Sequence, residues 1–426
     1  MAFVLPRSFF SADHHDNTRS GTAKGFKLND IWDLQDVHPL FRIPSCVLFA
    51  EKGNVKKAID KAGLQGKAFA GKLPAHNCNL IAANTKLSEE TVIWFYAKQG
   101  KATAFSNTKS KSSSKVNPYK NMFKQGATIV PRTFYFIELT QEMPTDFIDR
   151  TINIKTSDAV QPDAKAPWKG LDFNGRMESQ FIFRTALSKS ILPFNLYKPD
   201  FVVLPVTIKV ERGIKKIKID SANELRKEGF LNASKWFGDT ERIWDLQKTE
   251  KSKSMSSNDR INFQRGLTDQ NLNAKYLVLY NASAKDANAT VVERINLDLE
   301  FFVESVAYVL YTDEENEAYY LTSILNSTAP NEMMKDFQAK GLFGARHVHK
   351  KILDVYFPKY DNVSKTHNQL AALSKACHIK AAQFVKDNPP QQELSAIHLG
   401  RIRVAIKKHL GNEMKEIDEL VKKIIG

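Results

Sequence analysis

Two short patterns in the sequence contain side chains that can hold a metal ion, and neither pattern is complete. His347 and His349 would share a face if they lay on a strand, but no third ligand is near them and a closed metal site needs more. Asp200 precedes a strand candidate that leads to a Lys-Val-Glu triplet at residues 209–211. This triplet reverses the acidic-x-Lys order common in metal-dependent nucleases. The sequence therefore predicts neither a metal centre nor DNA cleavage.

The charge of the chain points to a polyanionic partner. The 426 residues include 62 Lys and Arg against 47 Asp and Glu, a formal net charge of +15. Excess cations raise affinity for double-stranded DNA of any sequence, because binding releases the counterions condensed on the phosphates. The alternative is a basic but merely soluble surface, since net charge bears on association and not on fold.

Composition also limits the class of protein. Hydrophobic residues make up 42% of the chain, enough for a sizeable core, and no apolar stretch is long enough to span a bilayer. Arg7 and Asp13 interrupt the first apolar run, so no signal peptide is predicted. Cys46, Cys78 and Cys377 fit neither a disulfide framework nor a zinc spacing. We expect a cytoplasmic protein without a membrane segment.

Local patterns predict strands in the first two thirds of the chain and helices in the last hundred residues. The predicted strands are residues 2–6, 28–34, 46–50, 91–96, 129–139, 179–183, 201–210, 214–219 and 276–280. Residues 58–70 read as mixed helix and turn, and the predicted helices are residues 317–325, 367–385 and 394–425. Two stretches rich in Ser and Lys, residues 106–120 and 248–258, are predicted to be mobile loops. They would either follow DNA phosphates or simply face solvent.

Several of these segments, in this order, resemble a known family. The segments are residues 2–10 (AFVLPRSFF), 31–34 (IWDL), 37–49 (VHPLFRIPSCVLF), 126–132 (GATIVPR), 318–327 (AYYLTSILNS), 341–350 (GLFGARHVHK) and the tail 402–425. Their order and spacing resemble the late motifs of amino-group adenine DNA methyltransferases of restriction–modification systems. The resemblance covers most of the chain.

Two parts of the family pattern are absent from this sequence. The family binds S-adenosylmethionine on a glycine-containing loop and holds the target amino group with an Asn/Asp-Pro-Pro-aromatic tetrapeptide, both upstream of the matched segments. The single Pro-Pro, Pro389-Pro390, lacks the aromatic residue and reads as a break between two helices. The apolar run 2–6 suits a strand buried on both faces, which this chain would contribute to another polypeptide's sheet or leave exposed. We therefore expect S-adenosylmethionine to be bound by a missing N-terminal half or a partner, and no cofactor-binding residue in this chain.

The resemblance also implies roles for particular residues. Phe41 occupies the place of the family's aromatic residue that stacks on the flipped-out base, and Pro39 and Pro44 would stiffen its turn. An ordinary core phenylalanine is the alternative. Arg7 and Arg42 would contact phosphates beside the flipped nucleotide or form surface salt bridges. The remaining candidates for DNA contact are Arg132, Arg176, Arg184, Arg260, Gln264, Arg265, Arg346 and Lys350, chosen by type and loop position; Gln270 is a further candidate on the same grounds.

The expected protein is α/β and α+β, with several domains. Residues 1–105 would be the C-terminal portion of a methyltransferase catalytic domain, with the final strands of a Rossmann-like sheet. Residues 106–120 would be a flexible basic linker, 121–345 a mixed α/β target-recognition domain that binds double-stranded DNA, and 346–426 a C-terminal helical region. The resemblance implies the target-base and specificity half of a DNA adenine-N6 methyltransferase, inactive without its other half. The alternative is a non-catalytic DNA-binding specificity module or an inert truncated remnant.

Overall fold

A computed structural model of the chain describes residues 1–53, 59, 62–109, 115–144, 146–147, 150–341, 344–346, 348–390 and 394–425. Within those ranges the protein is a mixed α/β, multi-domain structure with a C-terminal helical region, as the sequence predicts. The strands are β1 (Ala2–Pro6), β2 (Phe26–His38), β3 (Ser45–Lys52), β4 (Leu64–Lys72), β5 (Leu87–Gln99), β6 (Ala102–Ser106), β7 (Lys124–Gln125), β8 (Phe136–Leu139), β9 (Thr151–Thr156), β10 (Asn174–Glu178), β11 (Ile182–Thr185), β12 (Ile191–Leu192), β13 (Asn195–Leu196), β14 (Asp200–Val203), β15 (Val206–Glu211), β16 (Ile214–Ile219), β17 (Tyr276–Asn281), β18 (Ala289–Glu293), β19 (Ala307–Thr312), β20 (Ala339–Gly341) and β21 (Gly344–Arg346). The α-helices are α1 (Asp16–Arg19), α2 (Leu80–Lys86), α3 (Arg132–Tyr135), α4 (Ala222–Lys227), α5 (Leu231–Gln247), α6 (Ser257–Ile261), α7 (Glu315–Asn326), α8 (Thr328–Met334), α9 (Lys365–Asp387), α10 (Ala396–His409) and α11 (Gly411–Ile425).

The first hundred residues form a six-stranded mixed sheet. The strand order is β1-β3-β2-β4-β5-β6, and only the β2–β4 pair is parallel. Its inner face is a small apolar core that includes Phe9, Phe10, Trp94 and Phe105. Gly66 on β4 makes room for the indole of Trp94, because a Cβ there would lie 2.4 Å from the indole Nε1. The prediction of mixed helix and turn for residues 58–70 is thus wrong over residues 64–70, which belong to β4; residues 60 and 61 lie outside the described part.

The other face of this sheet carries apolar side chains that belong to none of the buried cores. Trp32 lies between Phe49 and Phe69, with ring centroids 4.7 and 5.3 Å away. Val4 on β1 and Ile93 on β5 are 57% and 42% exposed. We call this surface, made by Val4, Trp32, Phe49, Phe69 and Ile93, the outer face.

Strand β1 lies at the edge of the sheet and pairs only with β3. Phe3 is 47% exposed and Val4 more so, so the prediction of burial on both faces is wrong and exposure, the other expected outcome, is observed. An apolar run this short does not reveal how many neighbours a strand has. At the opposite edge, β6 is fully buried.

Two further sheets make up the middle of the chain. The five-stranded sheet β10-β9-β8-β14-β11 packs against α5 through Trp236, Phe237 and Trp244. The four-stranded sheet β18-β17-β19-β7 shares a core with the C-terminal helices. Gly126 lies at their junction, where a Cβ would come within 2.4 Å of the Val303 carbonyl oxygen. Glycine in the 126–132 segment is therefore a packing requirement.

The remaining predictions for local structure are mostly confirmed, with boundary corrections. Strands 28–34, 46–50, 91–96, 214–219 and 276–280 fall within β2, β3, β5, β16 and β17, and helices 317–325 and 367–385 fall within α7 and α9. Residues 201–210 divide into β14 and β15, and 394–425 into α10 and α11, which separate at Leu410. Residues 129–139 are a strand only from Phe136, because α3 follows Pro131. Residues 179–183 begin as a 3-10 turn and become strand at Ile182.

The structure covers the two predicted mobile loops to different extents. Residues 110–114 of the first loop lie outside the described part of the chain. The second, residues 248–258, contains a 3-10 turn at Glu250–Ser252 and the first residues of α6. None of the helices described here combines the length and apolar character needed to cross a bilayer.

The C-terminal helices contain a half-buried histidine that links them to the four-stranded sheet. His378 accepts a hydrogen bond from the Val291 backbone N–H at Nε2 (3.0 Å) and donates from Nδ1 to the Ser374 carbonyl (2.7 Å). Burial lowers the pKa of His378 from its ordinary 6.5 to about 4. The unfolded chain therefore gains a proton at this position below about pH 6.5, whereas the folded chain does so only near pH 4.

The stability that His378 contributes should consequently be present above pH 6.5 and be lost as the pH falls toward 4. We expect His378→Gln to flatten this part of the pH dependence, because glutamine can accept from Val291 without titrating. Urea unfolding of the helical region at pH 7, 6 and 5 measures the slope. His38→Gln, at an exposed histidine of β2, is the matched control and should leave the slope unchanged. Equal slopes for His378→Gln and the unaltered chain would contradict the assignment.

Candidate nucleic-acid interface

A cleft of about 590 Å³ opens between the 126–132 segment and the end of α5. Its walls include the stacked indoles of Trp168 and Trp244, whose ring centroids are 5.6 Å apart with planes 8° from parallel. Four cations line it: Arg132, Lys165, Lys248 and Arg260. We call this feature the cationic cleft. Asp163 is the acidic residue of its lining. Because Asp245 pairs with Lys248 and Glu304 with Arg132, attraction of an anionic ligand would depend mainly on Lys165 and Arg260.

Arg132 is held at the base of the cleft by a buried carboxylate. Its Nη2 is 3.4 Å from Oε1 of Glu304, which is 1% exposed. Burial raises the pKa of Glu304, and Arg132 together with the Val306 N–H opposes that rise. The Nε of Arg132 is buried and has no hydrogen-bond partner within the described residues. Arg132 is therefore oriented by the fold and retains an unused donor.

Beside the cleft, residues 262–266 form an exposed turn in which two residues have a left-handed backbone conformation. Gln264 and Arg265 have φ of +53° and +59°, in the left-handed region that non-glycine residues rarely adopt. Phe263, at 42% exposure, and both polar residues face solvent. The guanidinium of Arg260, which lines the cleft, lies 5.9 Å from the Phe263 ring centroid. We call residues 262–266 the exposed turn.

Phe41 lies in the segment that joins β2 to β3. It is 46% exposed, so the alternative of an ordinary core phenylalanine is excluded. His76 fixes the same segment through its Nδ1, 3.1 Å from the Leu40 carbonyl oxygen. The ring is thus presented at the surface on a supported turn, a placement compatible with stacking on a base.

The two arginines near Phe41 have different environments. Arg7 is 7% exposed and pairs with Asp33, with its Nε 3.0 Å from Oδ1 and its Nη2 2.8 Å from Oδ2. Its guanidinium also lies 4.4 Å from the Phe10 ring centroid. Arg7 is therefore a buried structural residue and neither a surface salt bridge nor a free phosphate ligand. Arg42 is exposed and accessible.

The other predicted DNA-contact residues are likewise either engaged within the fold or exposed at the surface. Arg184 is engaged by Asp298, by the Pro199 carbonyl and by the Phe201 ring, 3.5 Å from its centroid, so it serves the fold. Gln270 is buried and bridges backbone groups of Gly266 and Val303. Arg176 on the edge strand β10 is exposed.

Lys350 belongs to a separate group of cations. Its ammonium lies 5.7 Å from the Tyr308 ring centroid, and burial, with Lys124 and Lys120 nearby, lowers its pKa. Of the neighbouring candidates, Arg346 is described only as the last residue of β21, and His347 lies outside the described residues.

The structure brings Arg132 and Arg260 together in the cationic cleft, and Gln264 and Arg265 lie in the exposed turn that Arg260 contacts through Phe263. It also adds Lys165, Trp168 and Trp244, which the sequence reasoning missed, and Lys248, which that reasoning placed only in a basic loop. These residues come from segments more than seventy positions apart, so no spacing pattern could have joined them. Asp200 and the triplet at residues 209–211, considered above as an incomplete nuclease pattern, form separate ion pairs. Asp200 pairs with Lys189, and Glu211 pairs with Lys216. Among the described residues no group of three or more His, Cys, Asp or Glu is placed to hold a metal ion.

Comparison with known proteins gives one informative likeness. No family model matches the sequence, and no curated protein matches it. Among solved structures, the type IIL restriction–modification enzyme MmeI in complex with DNA aligns with 99% of this chain at a TM-score of 0.51 and 10% identity. The type IIG restriction endonuclease BpuSI aligns at a TM-score of 0.30 and 10% identity, covering 100% of this chain and 47% of its own. The chain spans 46% of the length of MmeI, and at this identity the likeness shows a shared fold over that portion.

Proposed function

We propose that this chain is the target-base and sequence-specificity half of a site-specific DNA adenine-N6 methyltransferase of a restriction–modification system. A second half, on a separate polypeptide or an N-terminal segment, would bind S-adenosylmethionine. The observation that carries the proposal is the six-stranded sheet. In the described part of the chain its outer face is partly exposed and its edge strand β1 pairs with β3 alone, in a fold shared with part of a larger restriction–modification enzyme.

The outer face explains why a second half is needed. A mainly antiparallel sheet can leave one face in water, and that face then normally carries polar side chains. Here the inner face is packed, while Val4 and Ile93 of the outer face remain exposed beside the ring cluster of Trp32. Exposed apolar patches mark interaction sites, and Val4 with the ring cluster supplies one on the β1 side, while Lys67 and Gln65 separate it from Ile93. The backbone edge of β1 can extend the sheet with further strands.

The proposal gives the methyl donor to the second half, and the cavity at the end of β2 agrees with this. Open α/β sheets bind their ligands beyond the carboxyl ends of the strands. The cavity beyond the carboxyl end of β2, lined by residues that include Leu34 and Ser45, has a volume of only about 10 Å³. Ligand pockets are typically about 300–1,000 Å³. In the proposed enzyme the donor site belongs to the other half, and the residues of this chain bind and position DNA.

Co-expression tests the proposal directly. We expect the chain to copurify with a donor-binding half encoded beside it, and the pair, but neither half alone, to methylate adenine in DNA. Val4→Asp, at an exposed position of the outer face, should abolish copurification because it would bury an unpaired charge. Val210→Asp, at a 65% exposed position on β15, is the matched control and should have no effect. Copurification that survives Val4→Asp, or a pair that leaves DNA unmodified, would overturn the proposal.

A stand-alone DNA-binding specificity module is the second candidate function. It is favoured by the cationic cleft and the exposed turn, which are assembled without any contribution from a partner. Mobility shifts with random duplexes over a salt series separate the sequence-dependent part of the affinity from bulk electrostatics, because the latter declines uniformly with salt. Sequence-preferring binding by a chain that never acquires methylation activity would support this candidate.

A further inference from the structure

We propose that the exposed turn is the element that reads base edges in the major groove, and that the cationic cleft beside it holds the phosphates of the same duplex. This inference rests on the proposed function and deepens it, because it names the side chains that determine specificity. Residue type alone made Gln264 and Arg265 two of many candidates. The structure places both in one exposed turn with the same left-handed backbone.

The backbone of the turn is the first argument. Two consecutive non-glycine residues in the left-handed region are unfavourable, and such conformations persist only where the surroundings hold them. Here both side chains so presented are polar and exposed, with Phe263 next to them. The arrangement directs a short row of side chains outward from a fixed backbone, which recognition of a base edge requires.

The second argument is the support beneath the turn. The side-chain Oδ1 of Asn262 accepts hydrogen bonds from the backbone N–H of Leu267 and from both the N–H and the hydroxyl of Thr268, at 3.1–3.3 Å. Gln270 fastens the following residues, donating to Gly266 O (3.2 Å) and Val303 O (2.9 Å) and accepting from Val303 N (2.8 Å). The base of the turn is thus tied to the same strand junction that contains Gly126.

The chemistry of the exposed side chains is the third argument. A glutamine amide matches the N6 and N7 positions of adenine, and an arginine matches the O6 and N7 of guanine. Within the described residues the Gln264 amide has no hydrogen-bond partner. Arg265 is paired with Asp269 through its Nε at 2.9 Å, which leaves both terminal nitrogens for a base. That pair is exposed on both sides and therefore weak.

The fourth argument is the link between turn and cleft. Arg260 belongs to the lining of the cleft and also lies over the Phe263 ring. A strand whose phosphates contact Arg260, Lys165 and Lys248 would pass within side-chain reach of the turn. Most polar contacts to DNA position the backbone, whereas a few contacts to base edges specify the sequence. In this inference the cleft supplies the contacts to the DNA backbone, and the turn supplies the contacts to base edges.

Sequence selection from a randomised duplex library, followed by affinity measurements over a salt series, tests the inference on the full chain. Arg265→Lys keeps the charge and the left-handed backbone requirement but removes the bidentate fork. We expect it to lose preference at one base pair by roughly 5- to 150-fold with the salt slope unchanged. Gln264→Met, similar in length but without hydrogen-bonding groups, should relax a neighbouring position by a comparable factor.

Lys165→Met is the matched control from the cleft. It should weaken binding to all sequences evenly and reduce the slope of log K against log salt by about one. The inference is overturned if Arg265→Lys and Gln264→Met retain the full preference of the unaltered chain, or if they weaken every sequence alike. Failure of the proposed function would look different: the turn variants would alter preference as expected, while the co-expressed pair left DNA unmodified. Melting temperatures of the variants check that each remains folded.

Discussion

Replacing Arg7 by alanine is expected to destabilise the six-stranded sheet by about 3–5 kcal/mol, because the change leaves the carboxylate of Asp33 buried without its partner. Both residues are less than 10% exposed, and the guanidinium meets the carboxylate through two nitrogens. The variant also removes the contact with the Phe10 ring. The unfolding transition of the sheet in urea, followed by tryptophan fluorescence, measures the loss.

Two controls separate a structural role of Arg7 from a phosphate contact. Asp33→Ala combined with Arg7→Ala should cost less than the sum of the single changes, since the double variant leaves no unpaired charge. Arg42→Ala, at an exposed arginine in the neighbouring turn, should change stability by no more than about 0.5 kcal/mol. Unchanged stability of Arg7→Ala, together with weaker DNA binding, would reassign Arg7 to the phosphates.

Phe41→Ala is expected to slow methylation by the reconstituted pair by roughly 5- to 150-fold, if the ring stacks on the flipped-out adenine as proposed. Stacking between a base and an aromatic side chain is worth about 1–3 kcal/mol, and an enzyme that acts on a base inside a duplex must first take it out of the stack. Phe41→Trp retains an aromatic face and should retain most of the rate. The fluorescence of 2-aminopurine at the target position measures flipping separately from chemistry.

Ile43→Ala provides the comparison for Phe41. Ile43 lies in the same turn and is 54% exposed, against 46% for Phe41, so its loss removes similar apolar surface without removing a ring. We expect near-normal flipping from Ile43→Ala. Equal losses from the two variants would indicate that the turn is needed for packing against a partner and would remove Phe41 from the proposed base-stacking role.

Most of the segments that local patterns predict fall on a regular element, but the patterns leave out others, among them α5, β18 and β19. One of the failures has a clear physical cause. Strand β4 was missed because Gly66, Ala68 and Ala70 carry little strand propensity. Gly66 is required because the Trp94 ring and the Ile31 carbonyl approach its backbone closely, a tertiary requirement that no local window contains. The exposure of β1 was equally hidden, since strand neighbours are set by topology.

The candidate site was predictable by residue type and unpredictable by environment. Arg7, Arg184 and Arg265 look alike in sequence, yet the first two are held in buried or half-buried ion pairs and the third is exposed. The partners, Asp33 and Asp298, are 26 and 114 residues away along the chain. The cationic cleft depends on contacts of the same long range. Sequence alone therefore predicts which side chains are chemically suited to contact DNA. It does not predict which of them are exposed and which are held in ion pairs.

The uncovered strand β1 also bears on how such a protein is made. A row of free backbone donors and acceptors beside apolar side chains invites copies of the same chain to pair with one another. Synthesis in excess of a covering subunit would favour aggregates over soluble protein. If the proposed second half covers this edge, translation of the two in matched amounts would occupy it soon after it forms.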